Sequence, residues 1–301
     1  MTNTGKASSN KVSKAAKAVS NNSGLLYVVA TPIGKLEVIT RRSVRVLSEA
    51  DLIAAEDTRH SKKLLQHLGI SVKTIAFHEH NERTRTPELL SLLRDGQCIA
   101  LISDAGTPLV SDPGFRLVCA AHAAGIRVVP VPGPCAAVAA LSVAGLPTDR
   151  FVFEGFPPAR TAARDAFFER LKHEPRTLIF YETPHRLRAS LNAMTAAFGS
   201  GREAVVAREL TKKFETILTG TLGELGAVFV GQRDARPRGE FVILVHGAAR
   251  SAARTPSSEA ERILRALLRE LSVKQSAALA SEITGVNRRK LYQLALSLQR
   301  R

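Results

Sequence analysis

The sequence predicts an α/β protein of two α/β domains with a small helical domain at its C-terminal end. Three observations predict it. Short apolar runs alternate with helix-period segments from Leu25 onward, the later apolar runs crowd together as antiparallel partners would, and the last 44 residues read as helix, glycine turn, helix. The 301 residues are 45% apolar, enough for a sizeable core and not the composition of a disordered chain.

Residues 1–23 are Ser, Asn, Lys and Ala with too little apolar surface to offset ordering entropy, and are expected to be a flexible basic arm. Leu25 to Ala30 is the first strand, closed by the turn Thr31-Pro32-Ile33-Gly34; a helical pattern through Val44, Val46 and Leu47 leads to a second strand, Leu52 to Ala55. Cys98 to Ile102 repeats the pattern, followed by a turn at Ser103 to Pro108, a helix from about Pro113 to Ala124, and the strand Arg127 to Val131 closed by Pro132, Gly133 and Pro134. Buried strands alternating with helices imply a parallel sheet in a first domain spanning 24–147. A second domain, 148–247, takes strands at Phe151 to Glu154, Thr177 to Tyr181, Ala204 to Arg208, Phe214 to Thr219 and Phe241 to His246, with helices near 161–172 and 184–198. Its late strands are close enough to pair antiparallel, making a mixed sheet. After a linker at 248–257, the tail 258–301 opens on Ser258 and Glu261 as a capping box; a helix over Gln275 to Ile283, a turn at Gly285 and a helix bearing Arg288, Arg289 and Lys290 form either a helix-turn-helix nucleic-acid binder or a plain helical bundle.

The formal charge is +16, divided as +4 in residues 1–23, +2 in 24–150, +3 in 151–247 and +7 in 248–301. The basic excess therefore belongs mostly to the ends, which points to a nearly neutral body with polyanion-binding appendages. Pro130, Pro132, Pro134 and Pro147 interrupt the most apolar region, so no membrane span is expected. The basic N-terminal stretch lacks the apolar segment of a secretory signal, and Cys98, Cys119 and Cys135 form neither a disulfide framework nor Cys-x-x-Cys. A reducing cytoplasm is the expected compartment.

Three turns at strand ends, Thr31–Gly34, Ser103–Pro108 and Pro132–Ala136, are expected to face one pocket, because ligands bind at the C-terminal edge of a parallel sheet. Ala105 and Gly106 allow close backbone approach, and Asp104 is placed to bond hydroxyls or an ammonium group. No Gly-x-Gly-x-x-Gly or Gly-x-x-x-x-Gly-Lys-Ser/Thr occurs. His78 and His80 would share a face on a strand, but with no third ligand the expectation is a polar, substrate-facing loop and no metal; His60 and His67 read as helix-surface residues.

The runs LYVVATPIGKLEVIT, AEDTRHSKKLL, FHEHNE, SDAGTPLVSDPG, VPVPGPCAAVAAL, FYETPHR, RELTKKFE and RGEFVILV, in order over about residues 25–300, closely resemble the bacterial small-subunit ribosomal RNA 2'-O-ribose cytidine methyltransferases. That family has the tetrapyrrole methylase fold, with S-adenosylmethionine held in the cleft between its two α/β domains. The resemblance implies that Thr31, Pro32 and Gly34 contribute to the pocket floor, that Ser103, Asp104, Ala105 and Gly106 hold the methionine and ribose of the cofactor with Pro134 and Ala136 nearby, and that Tyr181, Glu182, Leu210 and Gly239 receive the adenine. It also implies 16S ribosomal RNA in the assembled small subunit as partner and a homodimeric assembly. A 2'-hydroxyl acceptor benefits from a general base, for which Glu56, Asp57, Glu182, His185 and Lys212 are the candidates; for each carboxylate an ion pair with a neighbouring Arg, as in Asp57 with Arg59, is at least as good a reading. Arg59, Arg186 and Lys213 suit phosphate contacts, as do Arg288, Arg289 and Lys290. A tetrapyrrole methylase and a non-enzymatic nucleic-acid binder are the competing readings.

Overall fold

The computed structural model describes residues 24–231, 239–249 and 258–299. The basic arm, nearly all of the linker and the side chain of Ser258 lie outside them. The described residues up to Ala248 form one compact unit, and those from Ala249 another.

Strands β1 (Leu25–Val29), β2 (Leu52–Ala55), β3 (Thr74–Ala76), β4 (Ile99–Ile102) and β5 (Arg127–Val131) make a five-stranded sheet in the order β3-β2-β4-β1-β5, parallel throughout. β2 and β4 are buried at every position, as continuous apolar runs in a two-sided parallel sheet should be. Helices α1 (Arg41–Glu49) and α2 (Thr58–His67) cover one face, placing Val46, Leu47 and Leu65 in a core with Val29, Ile53 and Ile102. α3 (Glu82–Arg94) and α4 (Phe115–Ala123) cover the other, with Leu89, Leu93 and Leu117 against Leu26 and Leu101. The short strand β3 and the helix α3 were not legible in the sequence: β3 is three residues long, and α3 carries Pro87 and a diluted apolar stripe.

α5 (Ala136–Val143) follows the Pro132-Gly133-Pro134 turn where the sequence shows only an apolar, proline-broken stretch. Its Ala137, Ala140 and Leu141 pack against Ile179, Val205 and Val242 of the second sheet. One face of this helix is buried on the second sheet while Val138 and Val143 on the other stay exposed, and it fastens the first sheet's chain to the second sheet.

The second sheet comprises β6 (Phe151–Gly155), β7 (Thr177–Glu182), β8 (Glu203–Arg208), β9 (Thr216–Thr221) and β10 (Phe241–Val245), in the order β6-β7-β10-β8-β9. β6 and β7 are parallel and the other pairs antiparallel, so the mixed sheet is as expected, with the strand predicted at Phe214 beginning two residues later. α6 (Thr161–Leu171), α7 (Leu187–Phe198) and α8 (Leu222–Gly231), the last unanticipated, cover its outer face; Phe168, Leu191, Met194 and Phe229 fill the core with Phe180 and Ile243.

The separate C-terminal unit consists of α9 (Ser258–Leu267), α10 (Val273–Thr284) and α11 (Arg288–Gln299) around Leu264, Ala277, Ala280, Val286 and Leu291. Ser272 and Gln275 form a capping box at the start of α10, and Gly285 ends α10 in the left-handed conformation at φ 67°, which a residue with a Cβ adopts at a cost.

Candidate active site

The C-terminal ends of β1, β2 and β4 are tied together by their own backbone. Thr31 and Gly106 exchange hydrogen bonds at 2.8 and 3.2 Å, and the buried Thr31 hydroxyl donates to the Ser103 carbonyl at 3.1 Å. Gly106, at φ 86°, takes a conformation that suits glycine, and Gly133 is so close to Ala30 that a Cβ there would lie 2.8 Å from the alanine methyl. Asp57 caps α2, accepting from the Arg59 N–H at 2.7 Å and the His60 N–H at 3.4 Å, and its own N–H donates to Asp104 Oδ1 at 3.1 Å. Asp104 in turn donates its N–H to Glu56 Oε2 at 3.2 Å. The turns therefore meet at one edge of the sheet, facing the second sheet's Tyr181, Gly239 and Phe241 across a cleft of about 290 Å³.

Among the described residues that cleft is lined by the carboxylates Glu56, Asp104, Asp112, Glu182 and Glu240 and by no Lys, Arg or His; its walls include Ala105, Gly106, Ala136, Phe156 and Tyr181. Burial raises the Glu56 pKa above the usual carboxylate range, and the Asp104 carboxylate adds to the rise against the Asp104 N–H. Burial likewise pushes Asp112 up to about 6, with Glu56 and Asp104 contributing. The Ser103 hydroxyl moderates that rise without a formed hydrogen bond, and its buried oxygen has no partner. Asp112 and Phe156 were missed in the sequence; the loop leading to Asp112 holds Leu109 and Ser111 at φ 73° and 67°, backbone strain that only the folded chain displays.

A second cleft of about 330 Å³ lies on the other side of Asp104, lined by Pro32, Gly34, Leu36, His60, Ser61, Leu64, Ser103 and Lys212. The Ser61 oxygen is also buried and unpartnered. Gly34 sits against the loop after β8: a Cβ would lie 2.4 Å from Thr211 Oγ1 and 3.0 Å from the Leu210 carbonyl. The Lys35 N–H donates to Thr211 Oγ1 at 3.2 Å, closing the contact between the halves.

Of the predicted bases, Glu56 faces the first cleft with a raised pKa. Asp57 is instead a helix cap, its pKa lowered first by the Arg59 N–H and further by the Arg59 charge. Glu182 is buried and fully engaged, accepting from the Thr183 N–H at 2.7 Å and from the Ser190 hydroxyl, and paired with Arg186 at 3.2 Å. Arg186 is half-buried and held within the fold: its Nε donates to Thr183 Oγ1 at 3.0 Å and its guanidinium lies over Phe156. Lys212 is bound to Glu209 at 3.0 Å and Glu240 at 3.2 Å; burial opposes its charge, but these partners hold its pKa above the ordinary lysine value, so it stays a cation rather than a base. His185 is exposed beside Thr183, 3.4 Å from its hydroxyl.

Among the predicted cofactor residues, Asp104, Ala105, Gly106, Ala136, Tyr181, Glu182 and Gly239 line the first cleft, whereas Pro32, Gly34 and Ser103 line the second. Thr31 is buried behind both, Pro134 accepts from Thr107 Oγ1 at 3.0 Å, and Leu210 packs into the core with Tyr181. Tyr181 Oη accepts from the Ala137 N–H at 3.1 Å, and burial holds its phenol protonated well above the usual range. Gly239, at φ 97°, lies so close to Glu209 that a Cβ would meet its side chain at 2.4 Å. Arg59, Lys213, Arg288 and Arg289 are exposed, and Lys290 is half-buried.

The FHEHNE segment is a turn rather than a strand. Asn81 Oδ1 accepts from the His78 N–H at 2.8 Å, and Glu82 is buried, its carboxylate accepting from the Gly114 and Arg116 N–H groups at 3.1 and 2.8 Å at the start of α4. His78 and His80 lie edge to face at 6.0 Å, and no group of three metal-ligating side chains occurs among the described residues.

A cleft lined by five carboxylates fits a cationic ligand. Glycine at Gly106 and Gly239 permits close approach, the carboxylates can bond hydroxyls or an ammonium group, and apolar walls suit an aromatic ring. A sulfonium-bearing nucleoside has each of these features.

The family model for Tetrapyrrole (Corrin/Porphyrin) Methylases matches residues 25–226, and that for the RsmI C-terminal HTH domain matches residues 254–299. The Pseudomonas aeruginosa protein named Ribosomal RNA small subunit methyltransferase I is 56% identical over 92% of this chain and 99% of its own length. The Escherichia coli O157:H7 protein of that name is 51% identical over 94% of this chain and 98% of its own. Among solved structures, the methyltransferase CobJ aligns with a TM-score of 0.55 at 21% identity over 75% of this chain and 95% of its own. The Thermus thermophilus uroporphyrin-III C-methyl transferase complexed with S-adenyl homocysteine gives 0.51 at 20%, over 73% and 97%; at such identities the likeness is one of fold. The chain belongs to the tetrapyrrole methylase family, in the branch that holds the ribosomal RNA small subunit methyltransferases I and carries their C-terminal helix-turn-helix domain.

Proposed function

We propose that the protein is an S-adenosyl-L-methionine-dependent methyltransferase that 2'-O-methylates the ribose of a cytidine in small-subunit (16S) ribosomal RNA, acting on the assembled subunit as a cytoplasmic homodimer. The observation that carries the reading is the 56% identity with a ribosomal RNA small subunit methyltransferase I over 99% of that relative's length. The five carboxylates lining the first cleft support it.

When bound, the cofactor supplies an electrophilic methyl group already activated by its sulfonium, so the chain's own work is positioning and proton acceptance. Asp104, Ala105, Gly106 and Ala136 hold the methionine and ribose portions, and Tyr181 and Gly239 flank the adenine. Asp104 borders both clefts, which makes it the junction between cofactor and acceptor. Glu56, tied to the Asp104 N–H and raised in pKa, is the proton acceptor; Asp57 positions it by anchoring α2 and Asp104 together. The second cleft, with Ser61, His60 and Lys212, receives the acceptor nucleotide splayed from its stack.

Incubation with methyl-labelled cofactor, small subunits, naked ribosomal RNA and a tetrapyrrole tests this. Label on the ribose of small-subunit RNA is expected; label only on the tetrapyrrole, on a base, or nowhere overturns it.

A further inference from the structure

The near-neutral first sheet and its helices hide a sharp division of charge. α1 and α2 carry Arg41, Arg42, Arg45, Arg59, Lys62 and Lys63 against the single carboxylate Glu49, while the rest of residues 24–150 holds eight basic and eleven acidic side chains. The two helices lie on the same face of the sheet, since Val46 and Leu47 of α1 and Leu65 of α2 share one core with Ile53 and Ile102. With those positions turned inward, all six cations are exposed. Arg59 pairs with the capping Asp57 at 3.7 Å, and nearby Lys35 with Glu37 at 3.6 Å. Arg41, Arg42, Arg45, Lys62 and Lys63 have no carboxylate within ion-pair distance among the described residues. The opposite face has no such excess: on α3, Arg85 is bonded to Glu88 at 2.7 Å.

The inner side of α2 is also a wall of the second cleft, through His60, Ser61 and Leu64, and Leu36 just ahead of α1 is at its rim. A strand lying across α1 and α2 would thus have a recess at its edge whose buried Ser61 hydroxyl lacks a partner. Unpaired exposed cations on adjacent helices attract a polyanion whose charges recur along a line, and the neighbouring recess is of a size for one nucleotide.

We propose that the outward faces of α1 and α2 form an RNA-docking platform that grips the phosphate backbone beside the acceptor nucleotide and leads it into the second cleft. The proposal rests on the RNA-methyltransferase reading and adds a surface in the body, separate from the C-terminal helices.

The test compares Arg41→Gln/Arg42→Gln/Arg45→Gln and Lys62→Gln/Lys63→Gln with controls of matching charge loss on the opposite face, Arg83→Gln/Arg94→Gln/Arg116→Gln for the triple variant and Arg83→Gln/Arg94→Gln for the double. Binding to small subunits and to a ribosomal RNA fragment is measured across a salt series, with thermal melting as the check on folding. The platform variants are expected to bind RNA at least tenfold more weakly at 100 mM salt and to flatten the plot of log K against log[salt] by about 1 per lost phosphate contact, with the control unchanged. Equal effects from control and platform would reduce the surface to net charge, and unchanged binding in the platform variants overturns the proposal. So does wild-type binding to anionic phosphatidylglycerol vesicles with none to RNA. Because binding is read independently of methyl transfer, an RNA that binds but is not methylated defeats the enzymatic reading and leaves the platform decided on its own evidence. If the triple variant fails to fold, the Lys62/Lys63 pair decides.

Discussion

The Asp104 backbone N–H donates to Glu56 Oε2 at 3.2 Å, joining the ends of two neighbouring parallel strands. Asp104 returns a bond to the segment after Glu56 by accepting from the Asp57 N–H at 3.1 Å, so the proposed cofactor contact and the proposed proton acceptor stand on the same pair of turns.

Replacing Asp104 with Ala removes the junction carboxylate and the acceptor for Asp57. Calorimetry is expected to show at least tenfold weaker S-adenosylmethionine binding, with a stability loss of about 1 kcal/mol, the size of one hydrogen bond. Unchanged affinity would remove Asp104 from the cofactor site.

Glu56→Gln keeps the shape and the acceptor oxygen while abolishing the base. The turnover number should fall about 10² to 10⁴-fold with cofactor affinity changed less than threefold. A drop confined to KM would assign Glu56 to binding alone.

Burial and the neighbouring carboxylates lift Asp112 to about 6. A raised folded-state pKa means the folded form holds the proton more tightly than the unfolded chain, so this group's contribution to stability is fully present below about 3.9 and is lost as pH rises through about 6. Asp112→Asn should therefore stabilise the ligand-free protein at pH 7.5 by roughly 1 kcal/mol, allowing for the part of the carboxyl that water screens, and not at pH 4. Cofactor affinity should rise with pH through about 6 in the parent protein and lose that step in the variant. Paired denaturant melts and calorimetry at three pH values measure both.

Gly34 leaves no room for a side chain: Thr211 Oγ1 and the Leu210 carbonyl would lie 2.4 and 3.0 Å from a Cβ. Gly34→Val is expected to push the loop after β8 off the second cleft and lower kcat/KM at least tenfold, with the α/β core intact by circular dichroism. Wild-type kinetics would show the loop contact to be dispensable.

In the C-terminal unit, Ser272 and Gln275 complete a capping box. Ser272→Ala should cost that unit about 1 kcal/mol. Substituting Arg288, Arg289 and Lys290 by Gln should flatten the salt dependence of RNA binding by about 2 to 3 if these side chains meet phosphates. Retention of the full slope would make α9 to α11 a structural bundle.

The sequence by itself determined what local periodicity and turn chemistry encode: the alternation of buried strands and helices, the turns at Thr31, Ser103 and Pro132, the left-handed glycine at Gly285, and motifs specific enough to place the chain in its family. It also showed that most of the charge lies at the ends, correctly as a sum and incompletely as a distribution. How each candidate carboxylate is engaged comes from the tertiary structure alone. Glu182 and Asp57 look like Glu56 in a sequence, but Glu182 is occupied by Ser190, Thr183 and Arg186, and Asp57 by the start of α2, because those donors arrive through folding. Asp112 acquires its raised pKa from burial beside side chains eight and more residues away. The apolar stretch that becomes α5 owes its helix to the second sheet it packs on, and the balanced charge of residues 24–150 becomes a basic face because α1 and α2 fold onto one side of a sheet. Spacing along a chain encodes contacts one turn or one strand away; which distant groups share a cleft is decided by the packing of the whole unit.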